Sequence, residues 1–515
     1  MSELIIDNDE DKLFYIASAD DMVEFSSKVN RDGKTSLNAL LLADIDMTGK
    51  GGSWWPIGGT DASDAENNGD KAYKGTFDGQ NHTIDNLVQD ANGNNNQGLF
   101  GVVNGGCVIK NLILGSGCHF KGAKFVGALV GSSRGSGWVT IQNCGNEGAV
   151  TASGNNAAAI IGCVINGGPA TRITDCYNKG NVSGNAESAI LTGWFGGHSS
   201  VEVNNFYNTG AISGHDGGQL YRNNANITFN NIYHTSANQN ATQIGEGWLT
   251  SGELCYKLGA SFKQDLSQES YPIPFGTKVV SAGQWFSNSN DVYYNLEGDN
   301  YTVYQLNMSD TNTKYEVPDN VTAKNVRISR TIPADQWIGL CLPFALESIP
   351  SGWDVREMTS VVGSGENASM RFFAASSIEA GKPYIVKPEA EVTSITATDK
   401  AIATAASTVE EGDVNMIGNF AQTPITNGSY YINTSSQLKK LTATSANLKG
   451  FRAYFTVDGG SGVKALSFDL DDDATGLNDL NDLRDSNDII YNVAGQRLSK
   501  AQKGINIING KKILK

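Results

Sequence analysis

Apolar side chains return at a fixed beat along the first half of the chain. One element reads Ile109-Lys-Asn-Leu, and its fuller copies run Ile141-Gln-Asn-Cys-Gly-Asn-Glu-Gly-Ala-Val150 and Ile173-Thr-Asp-Cys-Tyr-Asn-Lys-Gly-Asn-Val182. The next copies are Val203-Asn-Asn-Phe-Tyr-Asn-Thr-Gly-Ala-Ile212 and a degenerate Phe229-Asn-Asn-Ile-Tyr-His. The leading apolar positions, 109, 141, 173, 203 and 229, are spaced by about 30 residues, the range of repeat architectures. A second element keeps the same period, with glycines at 101, 131, 162 and 193. Within each copy apolar and polar residues alternate over a few positions, which is strand periodicity. The Asn-x-Gly that follows offers a positive-φ position for a sharp bend.

A unit of two or three short strands cannot bury its apolar face alone. Similar units stacked about 4.8 Å apart can, because each strand pairs with its copies on either side. The expectation is therefore an all-β chain that opens with a right-handed parallel β-helix. Equivalent side chains would form ladders, with Cys144 over Cys176 and with Tyr177, Tyr207 and Tyr233 in line. Asp20, ahead of Met22, Val23 and Phe25, predicts the N-cap of a short helix that closes the open strand edges at the start.

The repeats stop near residue 245. Leu249-Thr-Ser-Gly-Glu-Leu-Cys-Tyr-Lys-Leu258 reads as a short helix capped by Thr250 or Ser251, sealing the far end of the stack. Tyr271-Pro-Ile-Pro-Phe-Gly276 breaks regular structure and marks a boundary. Beyond it Val292–Leu296, Tyr301–Leu306, Asn325–Ser329 and Tyr384–Lys387 carry β-branched and aromatic residues, the pattern of a β-sandwich-like domain. The division expected is a cap and first strands over 1–50, a β-helix over 51–245, a capping helix and linker over 246–280 and a sandwich over 281–468. An acidic linker over 469–488 and a β tail over 489–515, with a hairpin at Asn509-Gly510, complete it.

Composition fits this plan. Of 515 residues 59 are glycine and 18% are charged, which disfavours helix. A net charge of −16 repels phosphate backbones and excludes nucleic acid as a partner. The plain meaning of the acidity is solubility, and its functional meaning is diffuse calcium binding by carboxylates; no other cofactor is implied. Seven cysteines at no metal-ligand spacing fit buried thiols better than a zinc site or a disulfide framework. No apolar run reaches membrane-spanning length. The start lacks a signal peptide, so an exported chain would have lost one before Met1.

Gly98-Leu-Phe-Gly101 and Gly127-Ala-Leu-Val-Gly131 resemble the GLUG motif family of bacterial surface and adhesin-like proteins. The lead-in matches as well, with Ile16–Phe25 as a helix, Leu41–Met47 as a first strand, and Trp55-Pro-Ile-Gly58 and Tyr73–Leu87 opening the stack. The resemblance spans residues 14–275 and implies the fold rather than an activity. Trp337–Phe344 and Ala380–Lys387 resemble a module of surface proteins from Gram-negative gut anaerobes. The stretch Gly504–Lys511 resembles the C-terminal sorting tails of the type nine secretion route.

Enzymes on parallel β-helices need paired carboxylates or calcium with a basic residue beside the sugar. Here Glu147, Asp175, Glu187, Glu202 and Asp216 do not recur at matching positions, and Arg134, Arg172 and Arg222 are the arginines between 100 and 230. Asp44 and Asp46 face one side of a strand, as exposed carboxylates or as a metal or acid/base pair. His198 and His215 lie by glycine-rich turns. The leading reading is a cell-surface adhesion or scaffold protein that binds a host or bacterial protein or glycan along its flank. Non-catalytic carbohydrate binding comes second, through Trp54, Trp55, Trp138 and Trp194 with Tyr177 and Tyr207 as weaker contacts. A lyase or hydrolase comes last.

Overall fold

A computed structural model of the protein describes residues 13–59, 71–89, 93–185, 187–196, 200–214, 220–222, 226–287, 291–363, 368–458, 465–470, 490–492, 497–498, 505–508 and 511–514. His198, His215, Asp216, most of the acidic stretch and the Asn509-Gly510 turn lie outside the described residues. The chain divides into two compact units, residues 1–281 and 282–515. The described elements are overwhelmingly strands, so the all-β expectation holds.

In the first unit a ten-stranded sheet gathers one long strand from each repeat, all parallel. Its central members are Thr76–Asp85, Val108–Leu114, Trp138–Asn146, Ala170–Asn178, Ser200–Asn208 and Asn226–His234. The register is the one the repeat predicts, with Ile109 against Ile141, Ile141 against Ile173, Ile173 against Val203 and Val203 against Phe229. Shorter parallel sheets form from the rest of each repeat. Phe100–Asn104, Val130–Arg134 and Ile161–Val164 make one, and His119–Gly122, Ala149–Ala152, Val182–Ser183 and Ile212–Ser213 another. Their inward side chains share one core running from Phe14 to Ile232, in which Phe77, Ile109, Ile141, Ile173 and Val203 are fully buried. Each such side chain contributes roughly 1.5–3 kcal/mol relative to exposure.

The bends do not come from the glycines of Asn-x-Gly. The left-handed residue sits inside the long strands, at Asn111, Asn143, Asp175, Asn205 and Asn231, with φ between 51° and 60°, while Thr76–Asp85 bends at Gln80 and Asn81 with φ 49° and 68°. Asn and Asp are the side chains that tolerate this region best. Gly148, Gly180 and Gly210 serve close approach instead, since a Cβ on Gly180 would stand 1.9 Å from the Gly148 carbonyl oxygen. The periodic glycines of the second element have the same duty, and a Cβ on Gly162 would stand 2.6 Å from the Gly131 carbonyl oxygen.

The Asn of that motif forms a ladder of buried amides. Asn146 Nδ2 donates to Asn178 Oδ1 at 2.8 Å, and Asn178 Nδ2 donates to Asn208 Oδ1 at 2.7 Å. Asn208 Nδ2 meets His234 Nε2 at 3.3 Å. Each asparagine also donates to the carbonyl two residues ahead, at Gly148, Gly180 and Gly210.

At the start, the helix is Ala19–Asn30 and its N-cap is Ser18 rather than Asp20. The Ser18 hydroxyl accepts from Asp21 N at 3.2 Å while Asp21 Oδ2 accepts from Ala17 N at 2.9 Å, a reciprocal box. Phe25 closes that end of the core against Phe14, Tyr73 and Phe77. The first strands are Leu13–Ile16, Asn38–Leu41 and Ile45–Asp46, so the single strand expected over Leu41–Met47 is two. The expected helix near 249–258 is two short helices, Trp248–Ser251 and Glu253–Leu258, parted at Gly252 with φ 89°.

The second unit holds three main sheets around two apolar cores. Val292–Glu297, Asn300–Ser309, Val321–Ile332 and Val392–Ile402 follow one another in the first. Two pairings are parallel, Asn300–Ser309 with Val321–Ile332 and Ala368–Ala374 with Leu466–Leu470, which a purely antiparallel sandwich would not contain. The last of these strands includes Asp469 and Leu470, placed at the start of the expected linker. Leu466, Phe468 and Leu470 alternate with Ser467 and Asp469 and pack on the core, which overrides the acidic composition. In the tail four short antiparallel strands pair, with Ile508 opposite Lys511.

Replacing Asn178 by Ala removes its bonds to Gly180 and Asn208 and leaves the Asn146 amide with Gly148 alone of its two acceptors. Buried polar groups stripped of partners make this a loss of about 3 kcal/mol, read by chemical denaturation of the full chain. A loss below about 0.5 kcal/mol would show that the amide ladder does not hold the repeats together.

Candidate functional site

Strand alternation turns the neighbours of the buried row Ile109, Ile141, Ile173 and Val203 outward. Asp78, Lys110, Gln142, Thr174, Asn204 and Asn230 therefore stand in one register row on the outer face of the long-strand sheet. Gln142 and Asn230 are exposed, Lys110, Thr174 and Asn204 are half-buried, and Asp78 is buried. Beside this row runs a second amide ladder, built by the left-handed residues. Asn143 Nδ2 donates to Asn111 Oδ1 at 2.9 Å, and Asn111 Nδ2 donates to Asp78 Oδ1 at 2.9 Å. Further along, Asn231 Nδ2 donates to Asn205 Oδ1 at 2.8 Å, and Asn205 Nδ2 donates to Asp175 Oδ1 at 2.8 Å.

The carboxylates of this face are engaged within the protein. Glu202 pairs with Arg172 at 2.8 Å, and the Arg172 guanidinium lies 4.4 Å from the centre of the Trp138 ring. Glu147 Oε1 accepts from Tyr177 OH at 2.8 Å and Tyr271 OH at 2.6 Å, and its Oε2 lies 3.3 Å from Lys179 Nζ. Burial pushes the Tyr177 phenol up and the Lys179 ammonium down, the latter against the pull of Glu147. Glu187 meets Asn156 at 3.1 Å and Arg222 at 3.6 Å.

The segment after the repeats lies across this face, where the sequence led to a seal over the far end. Phe262 is buried with its ring 5.9 Å from Tyr207, and Tyr271 lies 6.1 Å from Tyr177. Tyr207 OH donates to the Pro272 carbonyl at 2.7 Å. The physical reason is the tyrosine ladder itself. Tyr177 and Tyr207 stack at 5.2 Å with planes 7° apart, and two such rings on an outer face would expose a broad apolar strip.

Tyr177 and Tyr207 are accordingly fully buried and present no ring face to a ligand. Trp54 is also buried, its Nε1 donating to the Gly98 carbonyl at 3.4 Å. Trp55 is half-buried with Lys71 5.7 Å over its ring, Trp138 carries Arg172, and Trp194 is half-buried beside the short sheet that Phe195 joins through Val164. The four tryptophans thus lie on three separate segments, and none is fully exposed.

Asp44 and Asp46 are exposed. Asp44 Oδ1 accepts from Thr83 N at 2.8 Å and faces His82 Nδ1 at 3.2 Å. Hydrogen bonds from the Thr48 hydroxyl, Asn86 and the Thr48 amide hold the Asp46 carboxyl below its ordinary pKa. Beside them opens a shallow cavity of about 390 Å³ lined by Thr48, Gly51, Gly52, Asn86 and Val88. Among the described residues no three His, Cys, Asp or Glu are grouped to hold a metal. All seven cysteines are buried free thiols, Cys144 N donating to Cys176 Sγ at 3.4 Å. No described helix is long and apolar enough to cross a membrane.

The amide ladders are the feature of this face that tryptophan-centred reasoning passed over, although Asn111, Asn143, Asn205 and Asn231 recur at one place in every repeat but Asp175's.

No family model matches the chain. Halomucin of Haloquadratum walsbyi is 39% identical over 114 residues, which make up 22% of this chain and 1% of halomucin. A crystal structure from Bacteroides ovatus, described as that of a candidate immunoglobulin A1 protease, aligns at 18% identity with a TM-score of 0.37, over 50% of this chain and 91% of that one. The chain corresponds to a very small part of halomucin's length.

Asp78 offers a pH test of the flank. Burial alone would raise its carboxyl, but Asn111, the Gln80 amide and Lys110 outweigh burial and leave its pKa below the ordinary value. A carboxyl depressed in the folded state contributes stability that is present above its unfolded pKa of about 3.9 and is lost as pH falls through the folded one. Asp78→Asn should therefore be less stable at neutral pH and lose less on acidification below about pH 4, by denaturation midpoints at stepped pH. Equal pH slopes for variant and wild type would remove Asp78 from the account.

Proposed function

We propose that the chain is an exported surface protein with an adhesion or scaffold role. Its first unit is a right-handed parallel β-helix of GLUG-like repeats, which binds a protein or glycan partner along the outer face of the long-strand sheet without turning it over. The observation that carries the reading is the in-register row from Lys110 to Asn230, polar side chains repeated about every 4.8 Å on an accessible face. Such a row suits a long partner engaged by many modest contacts.

Engagement of Glu147, Asp175, Glu187 and Glu202 inside the protein favours binding over catalysis, since general acid/base work needs carboxyls placed for a substrate. The stretch similar to halomucin supports a place outside the cell. The C-terminal strands from Ile490 to Leu514 belong to this reading as a sorting tail, and the second unit as a β-sandwich-like spacer.

The test incubates the full chain with arrays of neutral and acidic glycans and of bacterial and host surface proteins, followed by a reducing-sugar assay. Saturable binding on an array, weakened about tenfold by Gln142→Arg, with no new reducing ends, is the expected result; tenfold corresponds to about 1.4 kcal/mol. New reducing ends would overturn the non-catalytic reading. Binding indifferent to Gln142→Arg would move the site off this face.

A further inference from the structure

The outer amide ladder is already occupied over part of its length, by the protein's own chain. The Lys257 carbonyl accepts from Asn231 Nδ2 at 3.0 Å. Four residues on, the Ser261 hydroxyl donates to Asp175 Oδ1 at 2.6 Å and lies 3.5 Å from Asn205 Nδ2. From the last turn of the helix Glu253–Leu258 the polypeptide thus passes from the Asn231 repeat toward the Asp175 repeat, with the Lys257 carbonyl and the Ser261 hydroxyl received on the way. Phe262 then turns onto Tyr207 and the chain leaves the ladder.

In the same row of left-handed residues a second run follows beyond that point, at Asn143 and Asn111. Each uses one amide hydrogen along the ladder, as Asn231 and Asn205 do. An amide nitrogen carries two donors. At Asn231 the second serves the Lys257 carbonyl. At Asn143 and Asn111 the second has no protein acceptor among the described residues, and both side chains are half-buried, beside exposed Gln142. The unoccupied stretch is thus continuous in position and chemistry with one that already holds a polypeptide.

We propose that Asn111 and Asn143, with Gln142 and Lys110 alongside, form a docking groove for a polypeptide segment of a partner protein. Its main-chain carbonyls and hydroxyl side chains are received as those of Lys257 and Ser261 are. This rests on the flank-binding reading above and narrows the partner from a protein or glycan to a polypeptide. An uncharged, Ser/Thr-rich segment fits best. The chain's net charge of −16 disfavours an acidic one, and Lys110 is already paired with Asp78 at 3.1 Å.

The test uses the full chain and two probe sets, short uncharged synthetic peptides rich in Ser, Thr and Pro, and neutral oligosaccharides, with binding read by fluorescence polarisation. Asn143→Asp removes both donors while keeping a side chain that tolerates left-handed backbone, as Asp175 does in the next repeat. Gln142→Arg fills the groove without touching the fold, and Lys439→Ala in the second unit is the control. Thermal melts establish that each variant is folded. Peptide binding weakened at least tenfold by Asn143→Asp and by Gln142→Arg, and unchanged by Lys439→Ala, is expected. Oligosaccharides binding while peptides do not would overturn the polypeptide groove and leave the flank reading standing. Peptide binding insensitive to both groove variants would place the peptide elsewhere and overturn the groove. Neither probe set binding would overturn both.

Discussion

Backbone pairing in fixed parallel register governs the first unit. Once Ile109, Ile141, Ile173 and Val203 are locked side by side, every other position in the repeat is locked as well. Each residue then meets its own counterpart at about 4.8 Å, so every position must tolerate self-contact. Isoleucine over isoleucine does so by dispersion, and tyrosine over tyrosine by stacking. Glycine over glycine lets carbonyls approach to distances that a Cβ would forbid, as at Gly148 and Gly180. Like charges one above another would repel. The long strands accordingly place charges beside partners of opposite sign, as with Arg172 beside Glu202 and Lys110 beside Asp78.

Much of this was legible because stacking writes itself into sequence as a period. The spacing of 109, 141, 173 and 203 and the second glycine series announced parallel strands and their register. The errors came where two local devices share a signature. Asn-x-Gly reads as a turn with its glycine at positive φ, yet the bend is at Asn143 and its equivalents, while the motif's Asn enters a buried ladder. Ser18 and Asp20 are both good caps, and the reciprocal bonds with Asp21 select the serine. The covering of Tyr177 by Tyr271 was beyond the sequence, because no period links a segment outside the repeats to the face it lies on. The tryptophans misled for a related reason. Aromatic rings suggest sugar stacking, but Arg172 and Lys71 already occupy two of the ring faces.

The amide ladders carry a further order, a direction of donation. An asparagine that donates to the next must itself be received, so a row of them runs one way and needs a terminus that accepts without passing a hydrogen on. The outer ladder donates toward the N-terminal repeats and ends on carboxylates, Asn143 through Asn111 to Asp78, and Asn231 through Asn205 to Asp175. The buried ladder donates the opposite way, from Asn146 through Asn178 to Asn208, whose Nδ2 ends the run on the Gly210 carbonyl and lies 3.3 Å from His234 Nε2. Burial lowers the pKa of that imidazole, and its Nδ1 accepts from Ser236 N at 2.9 Å, so in the neutral ring Nε2 carries the hydrogen. Asp175 is therefore no irregularity in an asparagine row. It closes one run, and because a carboxylate has no hydrogen to give to Asn143, the next run starts there. Hydrogen bonds in such chains polarise one another, so the terminal acceptor strengthens every bond behind it. Asp78 and Asp175 are, in these terms, the acceptors that allow the outer ladder to exist.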